Sequence, residues 1–482
     1  MRSFSRRQTL SFLGAGAFSM GGGYYLYGAR SSAPSSLPEP AERPLLKVMV
    51  TAGQDEYLIP SPLDHEFVSG QRHPVFGYNG SSPGPSIRIR RGETFEKTIR
   101  NDLDVPTTVH WHGLVLPSDV DGHPADILGP GVEKRITFPV IQRAALNWYH
   151  PHPHESTGAQ AWGGLAGFFV VEDDEEEALR LPKGDRELLL AIRDAQIDQN
   201  GSLFYPNVLA GAEGDFPVIN GVSWPSARMG NQFYRLRILN AANARVFRLH
   251  SQAPLILIGN DGGLLEQATA VDVIEIGPAE RVDILLDLRN ILPGRTIGID
   301  CEASRWRLLQ IDVVEAAKDP WQPPTQLSRI NRLHHSGPPD RVFRFENDQR
   351  INGREYNMAL TDFIVPFGKV ERWRFESSGG APHPIHVHGG HFQIQSREGG
   401  RGQIMPWETG WKDTVLMWAQ ESIEVLVAFD QYEGRYLLHC HKLEHEDHGM
   451  MMNFVVSRNP VEAAERAENE RLFGPLCIAP AV

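Results

Sequence analysis

The sequence predicts an all-β protein of about three units, and three observations carry that reading. Glycine and proline are abundant, 46 and 35 of 482 residues, while helical apolar periodicity is scarce. Short runs such as Ser86–Arg90 (SIRIR) and Arg135–Phe138 (RITF) stand between Gly, Pro and Asp turns. The chain is also too long for one ordinary core, since domains usually run to about 100–200 residues. Many short strands joined by turns bury their apolar faces as sandwiches or barrels.

Taken in order, residues 1–30 read as an export signal. Ser5-Arg6-Arg7-Gln8-Thr9-Leu10 precedes a weakly apolar, Gly-rich stretch, the pattern read by the twin-arginine machinery that exports folded proteins. A periplasmic protein is the expectation, and no other stretch reaches the roughly 18 apolar residues needed to span a bilayer. Residues 31–44 form a Ser/Pro/Ala linker expected to stay extended or disordered. A first β unit is assigned to 45–175. The acidic run Glu172–Glu177 at its end reads as a solvated linker rather than a cation site, because six crowded acids repel. The second unit, 184–316, has strand candidates at Arg235–Leu239 and Val282–Leu286 but a single histidine, His250. It is expected to carry no metal of its own. A connector rich in Pro, Gln and His leads to a third β unit at 335–460, and the tail, 461–482, begins with a charged segment of helical character. The net charge of -13 argues against nucleic acid or an anionic membrane as a partner.

Histidine carries the chemistry. Nineteen histidines placed at random would give roughly one His-x-His pair, yet five occur: His110/His112, His150/His152, His152/His154, His386/His388 and His439/His441. All lie in the first and third units. In a strand, residues i and i+2 share a face, so each pair offers two imidazoles to one metal cluster. In His439-Cys440-His441 the same alternation aims the thiol at the opposite face, joining two metal sites through one tripeptide. His383, three residues before His386, is expected to point the same way as Cys440. His445 and Met450 complete a Cys-x4-His-x4-Met spacing, so that two imidazoles, a thiolate and a thioether make the ligand set of a blue-copper electron-transfer centre. Each piece alone has a plainer explanation: satisfied core histidines, a rigid His-Pro surface turn, or a four-ligand zinc site. No closed zinc site accommodates twelve candidates in this arrangement. Of the three cysteines, Cys440 is the ligand candidate, while Cys301 and Cys477 are left as either a disulfide or two thiols.

The strings HWHG (110–113), WYHPH (148–152), HPIHVH (383–388) and HCHKLEHEDHGM (439–450) resemble the four copper-binding signatures of the multicopper oxidases, in order and at matching separations. Asn220-Gly221, Arg235–Asn240 and Gly410–Val415 resemble the bacterial laccase and cuprous oxidase branch. The resemblance covers essentially the whole mature chain. It implies three cupredoxin-like Greek-key domains, with the first and third clasping a copper cluster, and four coppers per chain. By position, it implies a type 1 copper on His383, Cys440, His445 and Met450. The type 2 copper would take His110 and His386, one type 3 copper His112, His150 and His441, and the other His152, His388 and His439. His154 and His448 match no ligand and are expected beside the ligands or in solvent. Matching positions also suggest Asp121, beside the type 2 copper, and Glu446 as carboxylates that supply protons to the cluster; Asp413 is read as structural.

The implied activity is laccase-like: one-electron oxidation of phenols or aromatic amines, coupled to reduction of dioxygen to water. The alternative is a periplasmic cuprous or other metal-ion oxidase. Such enzymes often carry a methionine-rich segment, whereas this chain has 10 Met, none between Gly230 and Asn357, and Gly379-Gly380-Ala381-Pro382 precedes His383. Met358 and Met405 are the remaining candidates for gathering Cu(I). A copper-free cell-division or scaffold protein of the same fold would lack the ligands, and a copper nitrite reductase would need only two domains and fewer ligands.

Overall fold

The structure is a computed structural model that describes residues 34–35, 39–49, 51, 56–68, 70–317 and 320–473. The signal segment, most of the linker, Cys477 and the end of the tail lie outside the described residues.

Strands of the first unit follow the two-residue alternation of their side chains. In Thr94–Arg100 the buried residues are Phe95 and Ile99, and in Glu133–Pro139 they are Ile136 and Phe138, with exposed or half-buried residues between. These two strands pair antiparallel, with Tyr57–Leu58 on the outside. A second sheet runs Ile87–Arg90, Gly167–Glu172, Ala145–His150, His110–His112. Phe95, Phe138, Trp111, Tyr149 and Phe169 fill the core between them. Burying a side chain of this size contributes about 1.5–3 kcal/mol. Ala145–His150 and His110–His112 are buried on both faces, since other units cover their outer side.

The middle unit is one ten-stranded sheet system whose strands Phe233–Asn240 and Arg281–Asp287 are buried at every position. Its core includes Leu236, Ile238, Ile284, Leu286 and Cys301. The third unit is a sandwich of two five-stranded sheets, one of which runs Phe363–Pro366, Met451–Ser457, Gly434–Cys440, His383–Val387, Thr414–Met417. The charged segment after it is a helix, Pro460–Phe473. The molecule is therefore all-β with a few short helices, and no helix among the described residues is long and apolar enough to cross a membrane.

Two expectations need correction. The acidic run is not simply a solvated linker: Asp174–Ala178 forms a short helix capped by the Asp173 side chain, and Glu176 is buried. Its carboxylate bonds Arg235 at 2.9 and 3.0 Å and Arg237 at 2.7 Å, both guanidiniums being fully buried in the middle unit. Burial alone would raise the Glu176 carboxyl, but the charges of Arg237 and Arg235 outweigh it and hold it well below the usual carboxylate range. One acid of the six is thus an inter-unit bolt, sharing with Asp283 and Glu187 the compensation of two buried arginines. Nor is the linker loose at its end. Arg43 is buried and donates to the Arg307 carbonyl, and the Leu46 amide donates to the Ser226 carbonyl, so this stretch packs on the middle unit.

Candidate metal centres

The strand Gly434–Cys440 turns Tyr436, Leu438 and Cys440 into the core of the third sandwich, which puts Leu437 and His439 on its outer face. Its neighbour His383–Val387 pairs so that Ile385 opposes Cys440 and His386 opposes His439. Ile385 and Val387 share the core with Cys440. The inner face of this pair thus ends in a sulfur and the outer face in imidazoles.

Inside, Cys440 Sγ lies 3.5 Å from His383 Nδ1 and 3.7 Å from His445 Nδ1, and these two nitrogens are 3.3 Å apart. Met450 is fully buried in the same core; its amide donates to the His445 carbonyl at 2.9 Å and its carbonyl accepts from the Cys440 amide at 3.1 Å. Burial pushes the Cys440 thiol up to about 12, so a cation is what would displace its proton. Burial also holds His383 and His445 below the usual imidazole value, in the neutral form a metal binds.

Outside, the first unit brings its own histidines. The strand His110–His112 pairs with Ala145–His150, and Trp111 and Tyr149 point into the core while the histidines face the third unit. Three further groups made of histidines alone result, each with ligand atoms within 4.8 Å: His110, His112 and His386; His112, His150 and His441; His152, His388 and His439. All eight imidazoles are buried.

Whether these residues fit metal ions is decided by which ring nitrogen is already used. His110 Nδ1 donates to the Asp121 carbonyl at 2.7 Å and His386 Nδ1 to the Asp413 carbonyl at 2.9 Å. Each Nε2 is then a lone pair, and both are buried without a partner. His150 Nδ1 donates to the Pro151 carbonyl and His439 Nδ1 to the Cys440 carbonyl. His388 Nδ1 donates to Asp121 Oδ2 at 2.7 Å. His112 is reversed: its Nε2 lies 3.1 Å from both Asp413 Oδ1 and Thr414 Oγ1, leaving Nδ1 for the cluster. Burying eight imidazoles this way makes sense only around cations, since their lone pairs converge. The donor set fits.

Three carboxylates frame the cluster. Asp121 sits between His388 and His110, whose Nδ1 is 3.7 Å from Asp121 Oδ2, so it serves ligands of two groups rather than one alone. Burial pushes its carboxyl well above the usual range. Glu446 has one oxygen 3.2 Å from His152 Nδ1 and the other 3.2 Å from His439 Nδ1. Asp413, besides His112, takes hydrogen bonds from Arg281 of the middle unit, one of them at 2.7 Å. Burial alone would raise this carboxyl, but Arg281 outweighs it and holds it well below the usual range. Arg281 also donates to the Leu146 carbonyl of the first unit at 2.9 Å, and so ties all three units together behind the cluster. Sequence reasoning missed this clamp; its one trace was an arginine opening the apolar run Val282–Leu286.

His154 and His448 stand apart from the four groups. They line a cavity of about 700 Å³ with Tyr205, Tyr356 and Asp447, His154 half-buried and His448 exposed. Met405 packs against the core of the middle unit.

Comparison with known proteins agrees with the fold and with a copper-binding family. Residues 62–176 and 320–460 each match a model described as multicopper oxidase. The multicopper oxidase mco of Staphylococcus haemolyticus is 32% identical over 81% of this chain and 86% of its own length. The crystal structure of a laccase from Pediococcus acidilactici superposes with a TM-score of 0.82 and 30% identity, over 90% of this chain and 98% of that one. The cell division protein FtsP of Dickeya dadantii is 29% identical over 94% of this chain and 98% of its own. What fold and site define is a copper-binding oxidoreductase architecture. The chain belongs to the multicopper oxidase family.

Proposed function

We propose that this protein is a laccase-like oxidase that takes electrons singly from small phenols or aromatic amines and delivers them to dioxygen, holding four coppers and acting in the periplasm after twin-arginine export. The observation that carries this reading is the tripeptide His439-Cys440-His441, whose thiol meets His383 and His445 while its imidazoles join six others outside. The type 1 ion would be held by His383, Cys440, His445 and Met450, the type 2 ion by His110 and His386. The type 3 pair would be held by His112, His150 and His441 and by His152, His388 and His439. Bound copper would supply the one-electron redox steps by which four electrons reduce dioxygen to two waters. Cys440 is the bridge, because its backbone leads directly to both flanking histidines. Asp121 and Glu446 would supply protons to the cluster from beside its ligands, Asp121 against His388 and Glu446 against His152 and His439. Met405 is partly buried against the middle unit, which favours organic donors over a methionine-gathered Cu(I).

Copper content, visible spectrum and oxygen uptake of the copper-loaded protein test this. About four coppers per chain, a blue thiolate band and uptake with a phenolic donor are expected. A faster rate with Cu(I) would move the assignment to a metal-ion oxidase. Failure to bind copper would overturn the enzymatic reading in favour of a structural role of the kind FtsP's name implies.

A further inference from the structure

The ligand triangle of Cys440, His383 and His445 uses Nδ1 of both rings, so each Nε2 carries the ring proton and points away from the metal. Both Nε2 atoms are buried; that of His383 lacks a hydrogen-bond partner, while the His445 ring also interacts with the Leu209 backbone. One carboxylate oxygen, Asp348 Oδ1, stands 3.9 Å from each of them. That is too long for a hydrogen bond and short enough for direct charge interaction. The Asp348 side chain is 31% exposed while both rings are fully covered, so it lies between the electron-transfer ligands and solvent.

Its position is held at a backbone cost. Asp348 lies in the turn between strands Arg341–Glu346 and Arg350–Ile351, and it and Asn347 adopt φ of +58° and +52°. L residues rarely take this left-handed conformation; Asn and Asp tolerate it best. On the facing rim a Cβ at Gly379 would come 4.0 Å from both Asp348 Oδ1 and His383 Nε2, and one at Gly380 would meet nothing. The carboxylate is thus partly open to solvent beside two residues that carry no side chain. Among the described residues no Lys or Arg forms an ion pair with it, so its charge is not neutralised locally.

We infer that Asp348 is the specificity-determining residue at the electron entry: its carboxylate docks donors that are cationic or present an O–H or N–H, and turns away anionic ones. A phenol hydroxyl or an arylammonium group bonded to Asp348 sits next to both imidazole edges, where the electron leaves the donor. This rests on the oxidase reading above and names the donor class for it.

The test uses the copper-loaded full chain and Asp348→Asn, with a cationic aromatic amine (N,N-dimethyl-p-phenylenediamine), a neutral phenol (2,6-dimethoxyphenol) and a dianionic sulfonated dye (ABTS). The type 1 reduction potential is measured by redox titration beside steady-state kinetics. Wild type is expected to lose efficiency with the amine and gain it with the dye as ionic strength rises. In Asp348→Asn the KM for the amine should rise roughly two- to fivefold, that for the phenol less, and that for the dye fall, the size expected of one partly exposed charge. The potential should rise, because a negative charge beside two copper ligands is gone, and Asp348→Glu should restore part of the donor preference. A blue, oxygen-consuming protein whose donor preference, salt dependence and potential match in wild type and Asp348→Asn would overturn this inference alone. A wild-type protein with no blue band would overturn the oxidase reading and this inference with it.

Discussion

The sulfur-containing site and the eight-histidine cluster share one tripeptide but are built in opposite ways. His383, Cys440, His445 and Met450 all come from the third sandwich and pack in its own core. The cluster draws on two units and is held from behind by a third, through Arg281, Asp413 and His112. The first site depends on one domain folding. The second depends on three domains docking in register, so a fault in docking should damage the cluster and spare the sulfur site. The middle unit, which supplies no member of any of the candidate groups, nevertheless positions the cluster through one buried arginine.

The largest effect should come from the residue the two sites share. Cys440→Ser is expected to abolish the blue band, lower the copper content by about one ion per chain and reduce oxygen uptake to background. Arg281→Leu should separate the sites: Asp413 loses its buried counter-charge, His112 loses its fixed orientation, and activity or cluster affinity should drop about 10–100-fold while the blue band persists. Metal analysis with optical and electron paramagnetic resonance spectra would show it. Loss of both sites together would break the comparison.

Docking itself is probed at Glu176. Glu176→Gln should destabilise the fold by roughly 1.5–3 kcal/mol at neutral pH, because Arg235 and Arg237 lose one of their counter-charges and keep Asp283 and Glu187. The Glu176 carboxyl is depressed in the folded state, so its contribution is fully present above the ordinary unfolded carboxylate value, about 4.3, and disappears as pH falls through the folded value. Melting curves against pH should therefore show wild type and variant converging in acid. Met450→Leu is a milder change: copper is retained and the type 1 potential rises, as a redox titration would show. The smallest effect belongs to His154→Ala, whose imidazole is outside all four groups and whose loss should leave copper content as it was.

Much of this was legible before any coordinates. Phe95, Ile99, Ile136 and Phe138 alternate with polar neighbours, and that alternation is set by backbone geometry within each strand. The same local rule separates Cys440 from His439 and His441, so the existence of two sites, and which residues each would claim, follow from the sequence. Glu176 was not legible, because six acids in a row look alike until one of them meets two arginines some sixty residues away. The burial of Glu176 and Asp173 and the exposure of Asp174, Glu175 and Glu177 are properties of the interface.

What the sequence determined by itself, then, is whatever depends on neighbours along one strand: the all-β class, the two-faced tripeptide, and the paired imidazoles. Only the tertiary structure decided what depends on separate strands meeting. It sets Asp121 against His388 as well as His110, aims Glu446 at two histidines from different units, and places Asp348 over both outer imidazole edges. The physical reason is range: strand alternation is fixed by bond geometry over a few residues, whereas these contacts are fixed by the packing of separate strands, turns and loops against one another, in some cases across hundreds of residues.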